Sequence, residues 1–81
     1  MKEKVVITFN PGHKKDSVDL EVSLDITAND LIIALNQVFN LGFDISKIQS
    51  CYLKSENPIA LLKGNRTLRD IGIIDGTIIS R

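Results

Sequence analysis

The stretch Thr67-Leu68-Arg69-Asp70-Ile71-Gly72-Ile73-Ile74-Asp75-Gly76-Thr77-Ile78-Ile79 decides how this chain is read. Thr67 to Ile71 reads as one helical turn, and Gly72 ends it. Asp75-Gly76 is a strong turn signal that leads into a last strand, Thr77 to Ser80. Immediately upstream, Gly64-Asn65 turns the chain after a short strand from Ile59 to Lys63. Before that, Ser55-Glu56-Asn57-Pro58 is a turn. It follows a strand predicted over Gln49 to Ser55, with Cys51 and Leu53 on one face and Tyr52 and Lys54 on the other. Phe43 to Ile48 reads as a connecting segment with a few apolar anchors.

The first half of the chain opens on a hairpin. Lys4 to Phe9 is rich in β-branched residues, with Val5, Ile7 and Phe9 on one face and Lys4, Val6 and Thr8 on the other. Asn10 to Asp16 is a turn segment punctuated by Pro11 and Gly12. Ser17 to Leu24 then alternates, Val18, Leu20, Val22 and Leu24 against Asp19, Glu21 and Ser23. A helix follows. Thr27 is a good N-cap, Asp30 makes a weaker form of the capping box, and Ile26 and Leu31 are placed as a hydrophobic staple. At the helical pitch, Ala28, Leu31, Ile32, Leu35, Val38 and Phe39 fall within an arc of about 120°, one buried stripe. Gly42 is expected to stop the helix. Ile33 points about 160° from the centre of the stripe. It reads as an exposed isoleucine of the ordinary kind or as an outlying contact for a partner.

Composition narrows the function classes. The chain has 81 residues, enough for one small domain over 1–81, with 43% hydrophobic and 25% charged residues. Ten basic and ten acidic side chains cancel, which argues against a nucleic-acid binder that relies on bulk positive charge. The charge is uneven along the chain: a net +3 over 1–15, −5 over 16–30 and +2 over 31–81. Asp19 and Glu21 belong to one strand face, and Asp25 and Asp30 to the helix start, so the acids are a solvated edge or a surface that steers a basic partner. No apolar run approaches the roughly 18 residues that a membrane span needs, and no secretory signal follows Met1. The expected setting is the reducing cytoplasm, since Cys51 is the one cysteine and cannot form an internal disulfide. Cys51 reads as a buried structural thiol, and His13, beside Lys14 and Lys15, as a solvated loop residue. No cluster has metal-ligand spacing, no phosphate-binding glycine loop is present and no carboxylate pair stands in an apolar setting. The expectation is a protein without a metal, a cofactor or an enzymatic activity.

The order strand, strand, helix, strand, strand, helical turn, strand resembles the ubiquitin-like β-grasp, an α+β fold with a mixed sheet packed on one long helix. Such domains often carry a Leu-x-Asp-x-Gly-Ile-x-Asp-Gly pattern before the last strand, which Leu68, Asp70, Gly72, Ile73, Asp75 and Gly76 match. The resemblance implies that Leu68 and Ile73 plug the core beneath the helical turn and that Gly72 takes a positive φ. Periodicity alone does not pair the first strand with the last. Covalent tagging and sulfur transfer, the best-known work of this fold, need a C-terminal Gly-Gly, whereas this sequence ends Ile78-Ile79-Ser80-Arg81. A ubiquitin-like modifier or sulfur carrier is therefore the disfavoured alternative.

A short domain without a tail is similar to the YukD/EsaB family, small proteins encoded with the type VII (WXG100/ESX-like) secretion apparatus of Gram-positive bacteria. The opening Val5-Val6-Ile7-Thr8-Phe9 and the run Gly72-Ile73-Ile74-Asp75-Gly76 carry that likeness. It implies a non-conjugating, cytoplasmic adaptor or regulator that binds subunits of the apparatus, with no membrane insertion of its own and with recruitment to the membrane only through a partner. Met1 and the end at Arg81 favour a complete small protein over a domain of a larger membrane component.

In this fold the helix covers one face of the sheet and leaves the other open. Val6, Tyr52 and Ile78 are expected to point outward there, joined by one of Leu61 and Leu62, which alternation does not decide. Val6, Tyr52 and Ile78, with Ile33 outlying, are the expected protein-binding residues, and the open face is a candidate contact for a partner or for a homodimer.

Overall fold

The structure, a computed structural model, describes residues 3–12 and 16–81. The hairpin-turn residues His13, Lys14 and Lys15 lie outside the described residues. Strands β1 (Lys4–Asn10), β2 (Val18–Ser23), β3 (Leu53–Glu56), β4 (Ala60–Leu62) and β5 (Ile78–Ser80) form one mixed sheet in the order β2-β1-β5-β3-β4. Helix α1 (Ala28–Phe39), a 3₁₀ helix (Ile45–Ser50) and the single turn α2 (Leu68–Ile71) complete the chain. The two central strands, β1 and β5, run parallel, with Thr8 opposite Ile78 and Phe9 opposite Ile79, and every other pair is antiparallel.

The core lies between the sheet and α1. Val5, Ile7 and Phe9 of β1, Leu53 of β3, Leu62 of β4 and Ile79 of β5 meet Ala28, Leu31, Ile32 and Leu35 of α1. Phe9 packs on Phe39 with ring centroids 5.1 Å apart, which closes the core at the end of the helix. Leu68 and Ile73 are buried as the resemblance implied, and Gly72 has φ 97°. Val18, Leu20 and Val22 are only half-buried because β2 is an edge strand with one neighbour.

The starts of α1 and α2 cap each other. An α-helix leaves its first N–H groups without intrahelical acceptors. Here the Ala28 and Asn29 N–H groups donate to the carbonyls of Arg66 and Gly64 at 2.9 and 3.0 Å. In return the Leu68 and Arg69 N–H groups donate to the carbonyls of Ile26 and Leu24, both at 2.9 Å. Thr27 and Thr67 are the two N-caps, each accepting from the N–H of the aspartate three residues on, and they form an antiparallel bridge with each other.

Four expectations need correction. Val38 is 72% exposed rather than part of the buried stripe: it stands on the rim, which is covered at Leu31 in the first turn and open in the last. The helix stops at Asn40, not Gly42. Asn40 adopts the left-handed conformation (φ 53°), and Asn36 holds the returning backbone of Phe43 through both atoms of its amide, at 3.0 and 3.3 Å. The segment expected to open strand β3 at Gln49 is instead helical to Ser50: the Asp44 carboxylate caps a first 3₁₀ turn by accepting from the N–H and Oγ of Ser46, the backbone kinks at Lys47, and the Cys51 N–H closes a second turn on the Ile48 carbonyl at 3.0 Å. The fourth strand is shorter than expected, Ala60–Leu62.

Candidate protein-binding face

The face of the sheet away from α1 is built by residue alternation and sheet register. One row across it runs Asp19, Thr8, Ile78 and Glu56, and the next runs Asn10, Ser80, Lys54 and Leu61. Leu61 is 55% exposed and Leu62 fully buried, so Leu61 is the outward leucine. Val6, Ile78 and Tyr52 are all exposed, at 44%, 41% and 47%.

Register spreads these side chains along the face. Val6 precedes Thr8 by two residues and so lies diagonally across from Ile78, about 7–8 Å away. Tyr52 lies four residues from Glu56, the β3 partner of Ile78, which puts Val6 and Tyr52 about 20 Å apart along the strand direction. Ile33 is 40% exposed on α1, the layer on the other side of the sheet. Val6, Ile78 and Leu61 therefore share the open face, Tyr52 stands at one end of it, and Ile33 is on a different surface.

The two ends of the face differ in charge. At the Val6 end, a cleft of about 450 Å³ is lined by Lys4, Val6, Asp19, Glu21, Asp75 and Gly76. Lys4 reaches Glu21 at 4.0 Å, so among the described residues Asp19 and Asp75 leave this end acidic. At the Tyr52 end, a cleft of about 590 Å³ is lined by Pro11, Gly12, Phe43, Tyr52, Lys54 and Arg81, with no carboxylate side chain among them. The Arg81 guanidinium donates to the Leu41 carbonyl and lies 4.9 Å from the centre of the Phe43 ring. The pairing of Phe43 with Tyr52 and Arg81 was not legible, because Phe43 sits in a connecting segment that gave no periodic signal.

Asp75 shapes the acidic end. Its Oδ1 accepts from the Val6 N–H at 2.8 Å, and the Gly76 N–H donates to the Val6 carbonyl at 2.9 Å. The Asp-Gly turn thus continues the β1·β5 pairing beyond the strand. Thr77, fully buried, donates to the Asn57 carbonyl at 2.7 Å and accepts from the Ile74 N–H at 3.1 Å.

Cys51 is buried, with Sγ 3.6 Å from the carbonyls of Asp44 and Lys47, a packed thiol at the exit of the 3₁₀ helix. Among the described residues no three His, Cys, Asp or Glu side chains converge as a metal site would require, and no helix is long and apolar enough to cross a membrane.

Solved structures similar to the chain include ubiquitin-like domains. The structure from a study headed "Molecular Mimicry of SUMO promotes DNA repair" superposes with TM-score 0.68 at 16% identity, covering 99% of this chain and 91% of the other. The ubiquitin-like domain of an Arabidopsis thaliana protein gives 0.66 at 19% identity, with 98% and 76% covered. The ubiquitin-like domain of the Mycobacterium tuberculosis type VII secretion protein EccD1 gives 0.57 at 20% identity, with 95% and 94% covered. At these identities the likeness establishes the α+β, ubiquitin-like fold and no more. A search of curated proteins finds no match. The model of the WXG100 protein secretion system (Wss) protein YukD matches residues 5–80, nearly the whole chain, and the chain therefore belongs to the YukD family of ubiquitin-like proteins associated with type VII secretion.

Proposed function

We propose that this protein is a non-conjugating adaptor or regulator of a type VII secretion system, working in the cytoplasm by non-covalent contact with subunits of the apparatus. The observation that carries the reading is the family match over residues 5–80. The open sheet face supports it physically. Ile78 and Leu61 expose apolar surface on the sheet, with Thr8, Ser80, Lys54 and Glu56 as polar surroundings, a composition suited to a shallow protein contact. Val6, Ile78 and Leu61 form the main contact in this reading, Tyr52 its far end and Ile33 a separate, minor one. The same face docked on a second copy would give a homodimer.

Affinity capture from cells that carry the secretion locus, with the membranes solubilised, tests the reading. Recovery of secretion-apparatus subunits, with the bait at its unmodified mass, is the expected result. Bait recovered as higher-mass covalent conjugates would overturn it in favour of a modifier. Ile78→Lys is expected to abolish the recovery. Lysine is a better probe than aspartate at this position because Glu56 is the cross-strand neighbour.

A further inference from the structure

We propose that the cleft between Phe43 and Tyr52 binds an acidic segment of a partner protein, one that carries carboxylates beside an aromatic side chain. The proposal deepens the adaptor reading and depends on it for the identity of the partner. It rests on three features of the cleft.

The first is unspent positive charge. Lys54 and Arg81 both line the cleft, and among the described residues neither is ion-paired, whereas Lys4 pairs with Glu21 and Arg69 with Asp25. Across the sheet Lys54 faces Ser80 on one side and Leu61 on the other, so no acid neutralises it along its row. The second is preorganisation. The Leu41 carbonyl and the Phe43 ring hold the Arg81 guanidinium from two directions, and its remaining N–H donors are left to receive a carboxylate. The third is the aromatic lining. Half-exposed Tyr52 and the edge of partly buried Phe43 present flat apolar surface for a side chain next to the carboxylate, at low entropic cost. The other cleft fixes the direction of binding. Asp19, Glu21 and Asp75 repel an acidic segment from the Val6 end and leave the Tyr52 end as its seat.

The test titrates isotope-labelled protein with a blocked tripeptide of aspartate, phenylalanine and aspartate, followed by the backbone amide resonances. The control is the same peptide with asparagine in place of both aspartates. Saturable shifts are expected at Gly12, Phe43, Tyr52 and Lys54, with affinity for the asparagine peptide about tenfold weaker. Raising salt from about 20 mM to about 300 mM is expected to weaken the acidic peptide severalfold. Lys54→Gln, at an exposed position that leaves the fold intact, is expected to weaken it about threefold, and Glu21→Gln to leave it unchanged. Equal affinity for the two peptides, shifts centred on Val6 and Glu21, or no saturable shift would each overturn the proposal. If the peptide fails while secretion subunits are still captured, the cleft assignment falls and the adaptor reading stands. If the peptide binds while those subunits are not captured, the cleft assignment stands and the adaptor reading falls.

Discussion

Asp75 makes its contribution through one short side chain: its carboxylate accepts the Val6 N–H of a strand 69 residues away in sequence. Asp75→Ala removes that acceptor and leaves Val6 held on this side by the Gly76 contact. The expected cost is about 1 kcal/mol by urea unfolding, with faster hydrogen exchange at the Val6 amide. Gly72 shows a different constraint. A Cβ there would meet nothing within 4 Å, so Gly72→Ala is not opposed by packing, but φ is +97°. Backbone strain alone is expected to cost about 1–3 kcal/mol, read as a lower urea midpoint with an unchanged slope. Both residues could be read as turn formers from the sequence, because Asp-Gly and a glycine after a helical turn are local signals. That Asp75 also completes the edge of β1 could not be read, because no local pattern reports a hydrogen bond between residues so distant.

The two helix starts are one structural unit. Thr27-Ala28-Asn29-Asp30 and Thr67-Leu68-Arg69-Asp70 repeat the same capping signature, and each lead-in segment supplies the carbonyls that the other helix lacks. Thr27→Ala and Thr67→Ala are each expected to cost about 1 kcal/mol. In the double mutant the losses are expected to be non-additive, because the caps share a bridge. Each cap was legible alone, but their partnership was not. Two of the misjudged elements share a cause, in that side chains with short polar groups redirected the backbone. Asp44 capped the first 3₁₀ turn after α1, and Asn36 and Asn40 ended α1 two residues before the glycine. Periodicity registers apolar faces and is blind to such local competition.

Across the whole molecule, the parallel pairing of β1 with β5 is what makes the open face. It brings Thr8 beside Ile78 and carries Val6 into diagonal reach, from opposite ends of the chain. Alternation was enough to tell that Ile78 faces out and Ile79 faces in, but the distance between Val6 and Tyr52 needed the register. Ile78→Lys is expected to change stability by no more than about 0.5 kcal/mol, as at most exposed sites. Ile79→Lys, at a fully buried position, is expected to unfold the domain. The most direct measurement places a photo-crosslinking residue at position 78 in cells carrying the secretion locus, with one at Val38, exposed on α1 and turned about 140° from Ile33, as the control. Adducts with secretion-apparatus subunits from position 78 and none from position 38 are the outcome expected of a non-covalent adaptor that works through its open face. No adducts from position 78 in the folded protein, or high-mass conjugates formed without light, would contradict it.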